Sequence, residues 1–343
     1  MSIDMSEPRT ALIALAAASP PADRMTRRLV DEHGPVRTLQ FATSPIPPRG
    51  ITPLGFATWR RMIAPALDET ITEAILADSH RLGLTILTPD DDHWPTGMRD
   101  LRDHAPLLLW AKGDTSLLPR PVASPVTITG ARASSSYGEH MTTEIVHDLG
   151  RDGVQIVSGG AYGIDHAAHQ AALTTGGKTI AVMSSGLDRH YPIGNADLIE
   201  RVAESGVLLS EAAPGVAPTK HRFEERGRIL AALSAATVVV EAGARSGTRL
   251  VAEEAHVIRR SVGAIPGPIT SATSTGCHLL IQEGIATLVT GAHDIRRLID
   301  PTTFDTLTPE RSTAAARLSA LPGMERFGLA PGPIHDETPP LQR

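Results

Sequence analysis

The chain has 343 residues, of which 41% are hydrophobic and 20% are charged, and its 38 acidic and 32 basic residues give a formal net charge of -6. This length is ample for a large core, and the negative balance excludes a protein that coats nucleic acid or an anionic membrane by bulk charge. The single cysteine, Cys277, excludes a disulfide framework, and the lack of a long apolar run or a signal-like start predicts a cytoplasmic protein with no membrane contact.

The first predicted region, residues 1–82, is helical. Short helical patterns cover residues 10–18 and 24–32, a Pro/Ser-rich connector covers 42–53, and a longer helical pattern covers 58–82. We expect a small N-terminal helical (SAM-like) domain with a linker.

The second predicted region, residues 83–300, has the texture of an α/β core. Apolar stretches at 84–88 and 107–112 open this region as strands. Short β-branched runs then alternate with segments long enough for crossover helices, the runs being residues 126–129, 154–158, 178–183, 206–211, 237–241 and 261–265. This alternation predicts a doubly wound, mostly parallel sheet with helices on both faces, in which ligands bind beyond the carboxyl ends of the strands.

The third predicted region, residues 301–343, is a short Pro-rich tail. It carries one helical pattern near residues 309–321 and ends in Gly/Pro-rich sequence typical of a loosely ordered segment.

The turn after the first parallel strand, residues 130–138, consists mostly of small residues. Such residues let a phosphate approach the backbone at the start of the next helix, and Arg132 adds a possible bidentate contact. The turn is not GxGxxG, so a dinucleotide fingerprint is missing. A tight turn with a solvated arginine stays open as the alternative.

The turn after the second strand, residues 158–166, holds three glycines in five residues and forms a nest of backbone donors. Asp165 falls in the first turn of the following helix, where we expect it to cap free amides. His166 and His169 have no third ligand nearby, so no metal site is predicted.

The most basic segment covers residues 220–230 and holds four Lys/Arg against two Glu, with Phe223 among them. Cations with an interleaved ring are the composition needed to hold a phosphate backbone and to stack a base. The alternative is an amphipathic helix that packs Ile229 and Leu230 in the core, and both interpretations hold together if the faces differ.

Taken together, these turns resemble the DprA/Smf family, the DNA-processing proteins of natural transformation. The upstream segment 93–114 is similar to the family's lead into its core. Eight further segments match in order, namely GARASSSYG (130–138), SGGAYGID (158–165), GLDRHYPIGN (186–195), SEAAPG (210–215), FEERGRILAALS (223–234), VVVEAGARSGT (238–248), IPG (265–267) and TGCHLLIQEG (275–284).

The resemblance implies an extended Rossmann-like domain that binds single-stranded DNA, needs no cofactor or metal and catalyses no reaction. It also implies a homodimer formed through this domain, protection of incoming strands and loading of the RecA recombinase. The nucleic-acid-binding residues expected from the matched motifs and the glycine nests are Arg132, Ser134, Tyr137, Gly159, Gly160, Lys178, Lys220, Arg222, Phe223, Arg226, Arg228, Ser246 and Gly247.

The sequence departs from the family pattern at several places. Gly227 stands between Arg226 and Arg228 where the family usually has Asn, and residues 301–343 are too short for the winged-helix domain of many relatives.

Two other functions stay open on the sequence. Residues 243–248, followed by Glu253 and Glu254, loosely echo the loop of nucleoside-monophosphate phosphoribohydrolases of the cytokinin-activating type. The second open function is that of a nucleotide-sensing module that kept the phosphate-binding turns.

Overall fold

A computed structural model describes residues 4–118 and 125–300, and the predicted tail at 301–343 lies outside these residues. The helices within these stretches are α1 (Pro8–Ala18), α2 (Arg24–His33), α3 (Pro35–Thr43), α4 (Pro53–Ile63), α5 (Glu69–Arg81), α6 (Ser136–Arg151), α7 (Ile164–Thr174), α8 (Ala196–Ser205), α9 (Lys220–Leu233), α10 (Gly247–Val257), α11 (Thr275–Gln282) and α12 (Ala292–Ile299). The strands are β1 (Thr85–Leu87), β2 (Leu109–Gly113), β3 (Val126–Thr129), β4 (Ile156–Gly159), β5 (Thr179–Met183), β6 (Val207–Ser210), β7 (Ala236–Val239), β8 (Ser261–Ala264) and β9 (Thr287–Leu288).

In the described stretches the nine strands form one sheet in the order β1-β2-β6-β5-β4-β3-β7-β8-β9. Pairing is parallel from β6 through to β9, and β2 is antiparallel to both of its neighbours. This arrangement confirms the predicted α/β fold, an extended Rossmann-like, doubly wound sheet with N-terminal helices. Helix α9 carries the chain from β6 back to β7, so the order reverses between β3 and β7. Ligands of such sheets bind at the carboxyl ends beside this reversal.

The N-terminal helices differ from the predicted ones in number and bounds. Gly34, at φ +79°, ends α2, and Pro35 starts a helix α3 that the sequence pattern had not indicated. The pattern over 58–82 divides into two helices separated by a 3-10 turn that contains Pro65. Asp68 starts the second helix, because its carboxylate accepts hydrogen bonds from two backbone N–H groups of the first turn.

The N-terminal helices share a hydrophobic core with the sheet. One cluster contains Leu15 and Phe56 from the helices together with Trp110 of β2 and Leu208 of β6. The indole Nε1–H of Trp110 donates a hydrogen bond to Ser79 Oγ of α5 at 3.2 Å. The domain boundary expected after residue 82 stays a prediction, and apolar packing runs across that position.

The described helices include none that is long and apolar enough to cross a membrane.

Because Trp110 is fully buried within the shared cluster, replacing it with alanine should lower the free energy of unfolding by about 3–5 kcal/mol. Urea titration followed by circular dichroism measures this loss. The control Ile71→Ala, on the exposed face of α5, should change stability by no more than about 0.5 kcal/mol. A loss below about 1 kcal/mol for Trp110→Ala would contradict the shared core.

Candidate nucleic-acid interface

The turns after β3 and β7 meet at the reversal of strand order. Glu241, only 2% exposed, follows β7 and lies against the start of α6. Its carboxylate accepts hydrogen bonds from the Ser135 backbone N–H at 2.8 Å, Ser135 Oγ at 2.6 Å and Thr273 Oγ1 at 2.9 Å. A carboxylate of the chain itself therefore occupies the helix N-terminus at which an external anion would be stabilised.

Beside this point, four side chains from different strand ends and from α9 form what we call the Phe223 cluster: Arg132, Tyr191, Phe223 and Arg226. The guanidinium carbon of Arg132 lies 4.2 Å from the centroid of the Phe223 ring, and that of Arg226 lies 5.6 Å from it. The Tyr191 ring meets Phe223 edge-on at 5.9 Å between centroids. Arg132 is exposed and Phe223 is partly exposed. The cluster thus combines a solvent-accessible cation with aromatic surface, as stacking sites for nucleobases do.

Arg226 is the buried member of the cluster, at 9% exposure. Its Nη1 donates to the Val182 carbonyl at 3.3 Å, and its Nη2 lies 3.6 Å from a carboxylate oxygen of Asp165. Burial lowers the pKa of Arg226 and raises the pKa of Asp165, and each charge partly offsets the shift of the other.

Asp165 was expected to cap helix α7, and its hydrogen bonds go elsewhere. The carboxylate accepts from Thr129 Oγ1 at 2.9 Å and from the Ala161 N–H at 3.3 Å. It therefore ties the end of β3 to the glycine-rich turn after β4.

Arg228, which the matched motif placed among the DNA contacts, is 2% exposed. Its Nη2 lies 2.6 Å from the Glu211 carboxylate, its Nε donates to the His104 carbonyl at 2.7 Å, and its Nη1 donates to the Glu225 carbonyl at 2.8 Å. The second half of α9 is thus buried, and both arginines that were expected to contact DNA lie largely inside the folded chain.

Gly159 and Gly160 are also buried. A Cβ at Gly159 would overlap the Arg226 guanidinium, and one at Gly160 would overlap the Met183 side chain. These glycines serve close packing in the folded chain, where the sequence indicated an open nest of donors.

Lys178 lies at the opposite edge of the sheet from the Phe223 cluster. It precedes β5, at the amino ends of the parallel strands, near Asp114. The pKa of that carboxyl is lowered mainly by hydrogen bonds from Ser116 and to a smaller extent by the charge of Lys178. The structure therefore separates it from the other predicted contacts.

The remaining predicted residues lie at the carboxyl-end edge. Lys220 is exposed, with its Nζ 3.5 Å from the Glu224 carboxylate. Arg222 is partly buried near Glu211, and burial lowers its pKa. Ser134 Oγ donates to Glu139 at 2.7 Å.

Two further predicted residues lie at the start of α10. Ser246 caps this helix by accepting from the Thr248 N–H at 3.2 Å, and Gly247 beside it is exposed.

The structure adds side chains to this edge that the predicted contact set left out. Arg245 is exposed in the turn after β7 and has no carboxylate partner within the described residues. Tyr162 and Tyr191 are about as exposed as Tyr137, which was predicted and whose hydroxyl donates to the Pro266 carbonyl at 2.7 Å. The signal in the sequence was the position of all three tyrosines within glycine-rich turns.

The histidines and the cysteine near these turns are engaged inside the fold. His166 contacts Asn195 at 2.9 Å, and burial lowers the pKa of His169 to about 4. Cys277 is buried as expected, which raises the pKa of its thiol to about 12. Across residues 4–118 and 125–300, no group of three His, Cys, Asp or Glu side chains could hold a metal ion.

These features define a Rossmann-like α/β protein with exposed arginines and aromatic rings at its strand ends. A family model described as DNA recombination-mediator protein A matches residues 85–300. The chain therefore belongs to the DNA recombination-mediator protein A family, also named DprA/Smf.

Relatives of the chain carry names from this family. The DprA protein of Mycobacterium tuberculosis is 46% identical over 228 residues, which cover 63% of this chain and 57% of the relative. The DNA processing protein DprA of Streptococcus pneumoniae is 44% identical over 205 residues, which cover 60% of this chain and 71% of the relative. The match thus spans less than two thirds of the mycobacterial protein.

Two solved structures are similar in fold. The X-ray structure of S. pneumoniae DprA has a TM-score of 0.67 and 32% identity, and the match covers 86% of this chain and 98% of that one. The Helicobacter pylori DprA structure, described as showing a single-stranded DNA binding mode, has a TM-score of 0.57 and 29% identity. This match covers 65% of this chain and 96% of that one.

The burial of Arg228 predicts a role in stability. Replacing it with alanine leaves Glu211 without its ion-pair partner and the His104 carbonyl without its donor, so the free energy of unfolding should fall by about 3–5 kcal/mol. Thermal and urea unfolding measure this. The exposed Arg132→Ala should change stability by no more than about 1 kcal/mol, since it removes only a cation–π contact with Phe223. Equal stability of the two variants would show that Arg228 is not a core residue.

Proposed function

We propose that the chain binds single-stranded DNA along the carboxyl ends of its parallel strands and catalyses no reaction on it. The observation that carries this proposal is the exposed Arg132 guanidinium, 4.2 Å from the Phe223 ring centroid. A guanidinium binds phosphate oxygens in bidentate fashion, and a ring at the same point stacks a base. One nucleotide can therefore engage both side chains.

The same edge offers further contacts of both kinds. Arg245 and Lys220 are exposed cations, and Gly247 leaves the start of α10 open to a phosphate. The half-exposed tyrosines supply additional rings along the edge. Because every base has a π-face, such a surface binds without sequence preference.

Binding on the Phe223 cluster requires one rearrangement. In the free protein Arg132 occupies a face of the Phe223 ring. A base stacks there after Arg132 swings from the ring to a phosphate. The cation–π contact between them, worth about 0.5–1 kcal/mol at an exposed site, is small enough to be replaced.

Contacts at the start of α6 and around Glu253 argue against the two alternative functions, nucleoside-monophosphate hydrolysis and nucleotide sensing. Glu241 fills the start of α6, where a nucleotide phosphate would bind. Glu253, the candidate hydrolase residue, lies 3.4 Å from Arg249, which also contacts Glu283 at 2.8 Å. The carboxylates of Glu241 and Glu253 are thus both engaged in contacts within the fold.

A recombination-mediator role follows from the family. We infer that the chain acts in the cytoplasm as a homodimer formed through its Rossmann-like domain. It protects incoming strands and loads the RecA recombinase on them during transformation or recombination. The family description and the named relatives support this inference. Within this proposal residues 1–82 are the helical domain and residues 83–300 are the DNA-binding core.

Fluorescence anisotropy with labelled oligo-dT over a salt series tests DNA binding. We expect single strands to bind better than duplex. Arg132→Ala should reduce the slope of log affinity against log salt by about 0.7, as the loss of one phosphate contact on a single strand does. Phe223→Ala should cost about 1–3 kcal/mol with little change of slope.

Lys178→Ala is the matched control for this experiment, because it removes one positive charge at the opposite edge of the sheet. Its affinity and slope should equal those of the wild type. If wild type binds no better than Arg132→Ala, or if Lys178→Ala weakens binding as much, this surface is not the DNA site.

The recombinase step can be tested separately by following RecA assembly on oligo-dT covered by a single-strand-binding protein. The wild-type chain should shorten the lag before RecA assembly. With Arg132→Ala the lag should return to most of its length without the chain, because loading requires the DNA contact. A lag that the wild type leaves unchanged would contradict the mediator role while leaving DNA binding intact.

A further inference from the structure

We propose that Arg226, together with Asp165, positions the Phe223 ring for DNA and does not itself contact the strand. This inference rests on the proposed function and reassigns a residue that its motif placed among the DNA contacts. In this role the buried ion pair fixes the aromatic part of the site, and the exposed Arg132 supplies the charge.

The geometry of α9 links Arg226 to the ring. Phe223 and Arg226 are three residues apart, so their side chains project from the same side of the helix. The Arg226 guanidinium lies 5.6 Å from the ring centroid and is held beneath the surface by the Val182 carbonyl and Asp165. A shift of Arg226 therefore removes a neighbour against which the ring rests.

Asp165 gives this support its rigidity. Its carboxylate joins Thr129 at the end of β3 to Ala161 in the turn after β4, while Arg226 reaches Val182 in β5. The ends of three adjacent strands are thus connected to α9 through one pair of charges.

Gly159 makes room for the pair. A Cβ at this position would overlap three atoms of the Arg226 guanidinium. The lack of a side chain at residue 159 is therefore a condition for the position of Arg226, and it offers a way to displace the guanidinium without changing any charge.

The solvent exposure of the two arginines distinguishes a positioning residue from a residue in direct contact with DNA. Arg226 is 9% exposed, and its Nε has almost no accessible surface. A phosphate oxygen has no route to Nε in this conformation, whereas the guanidinium of Arg132 is open to solvent. The two arginines on one ring thus have different roles.

The test uses Arg226→Lys and Gly159→Ala, each in the wild-type chain and in the Phe223→Ala chain. The lysine keeps the charge but loses the planar fork, and the alanine keeps both charges. Affinity for labelled oligo-dT is measured over a salt series, and urea unfolding supplies the folded fraction by which each affinity is corrected. The exposed Arg151→Ala is the control for charge loss away from the site.

We expect both variants to bind about 5- to 150-fold more weakly, the range for one lost stacked base, at an unchanged salt slope. In the Phe223→Ala chain the same substitutions should have little further effect, because positioning acts through the ring.

Two results would overturn the inference. If Arg226→Ala, examined alongside, lowers the slope by about 0.7 and its loss persists without Phe223, Arg226 is a direct phosphate contact. If the folded variants bind like wild type, the pair serves stability alone. If the wild-type chain does not bind single strands, the proposed function itself is refuted. The wild type is therefore measured before any variant is compared.

Discussion

The parallel pairing of β3 with both β4 and β7 is the constraint on which the candidate site depends. It places the turns after these strands at one edge, where the chain order reverses. Helix α9, which returns the chain across this reversal, carries Phe223 to the end of β3, and Arg132 leaves β3 at the same point. Neither residue is near the other in sequence, and their 4.2 Å contact exists only because of this topology.

The distribution of charge follows from the same geometry. The chain is acidic overall, with a formal net charge of -6, so bulk charge does not attract DNA and the proposed binding depends on a local cationic surface. Arg226 and Arg228 are used inside the fold, where each is paired with a carboxylate. The exposed Arg132 and Arg245 are left to face solvent at the strand ends. Acidic bulk charge and a cationic edge are therefore compatible in one molecule.

The sequence predicted the strands of the core well, because short β-branched runs bounded by glycine-rich turns have few other structures available. Strand β9 was missed, since two residues carry no period. The N-terminal helices were less predictable: the connector at 42–53 overlaps the ends of α3 and α4. Helix propensity is local, and Pro65 divides an apolar pattern over residues 58–82 that is otherwise continuous.

Burial within α9 was not predictable from charge.

A run of basic residues normally indicates a solvated face, yet from Arg226 onward this helix is covered on all sides. The partners that make this possible, Asp165 and Glu211, lie in other elements and give no local signal. Lys178 was predicted from the motif match alone, and it precedes its strand, away from the carboxyl ends where ligands of such sheets bind.

The shape of the edge bears on what kind of nucleic acid it suits. Small ligands are held in clefts of about 300–1,000 Å³ that enclose most of their surface. The cavity beside Arg222, Glu211 and Arg226 has a volume of about 10 Å³, room for at most one water molecule. At the neighbouring α6 N-terminus, Glu241 already takes the place of an anion. A mononucleotide finds little enclosure at these two points, whereas a strand gains by touching several exposed groups along the edge in succession. Such a surface favours polymers over their monomers because affinity accumulates with each added nucleotide.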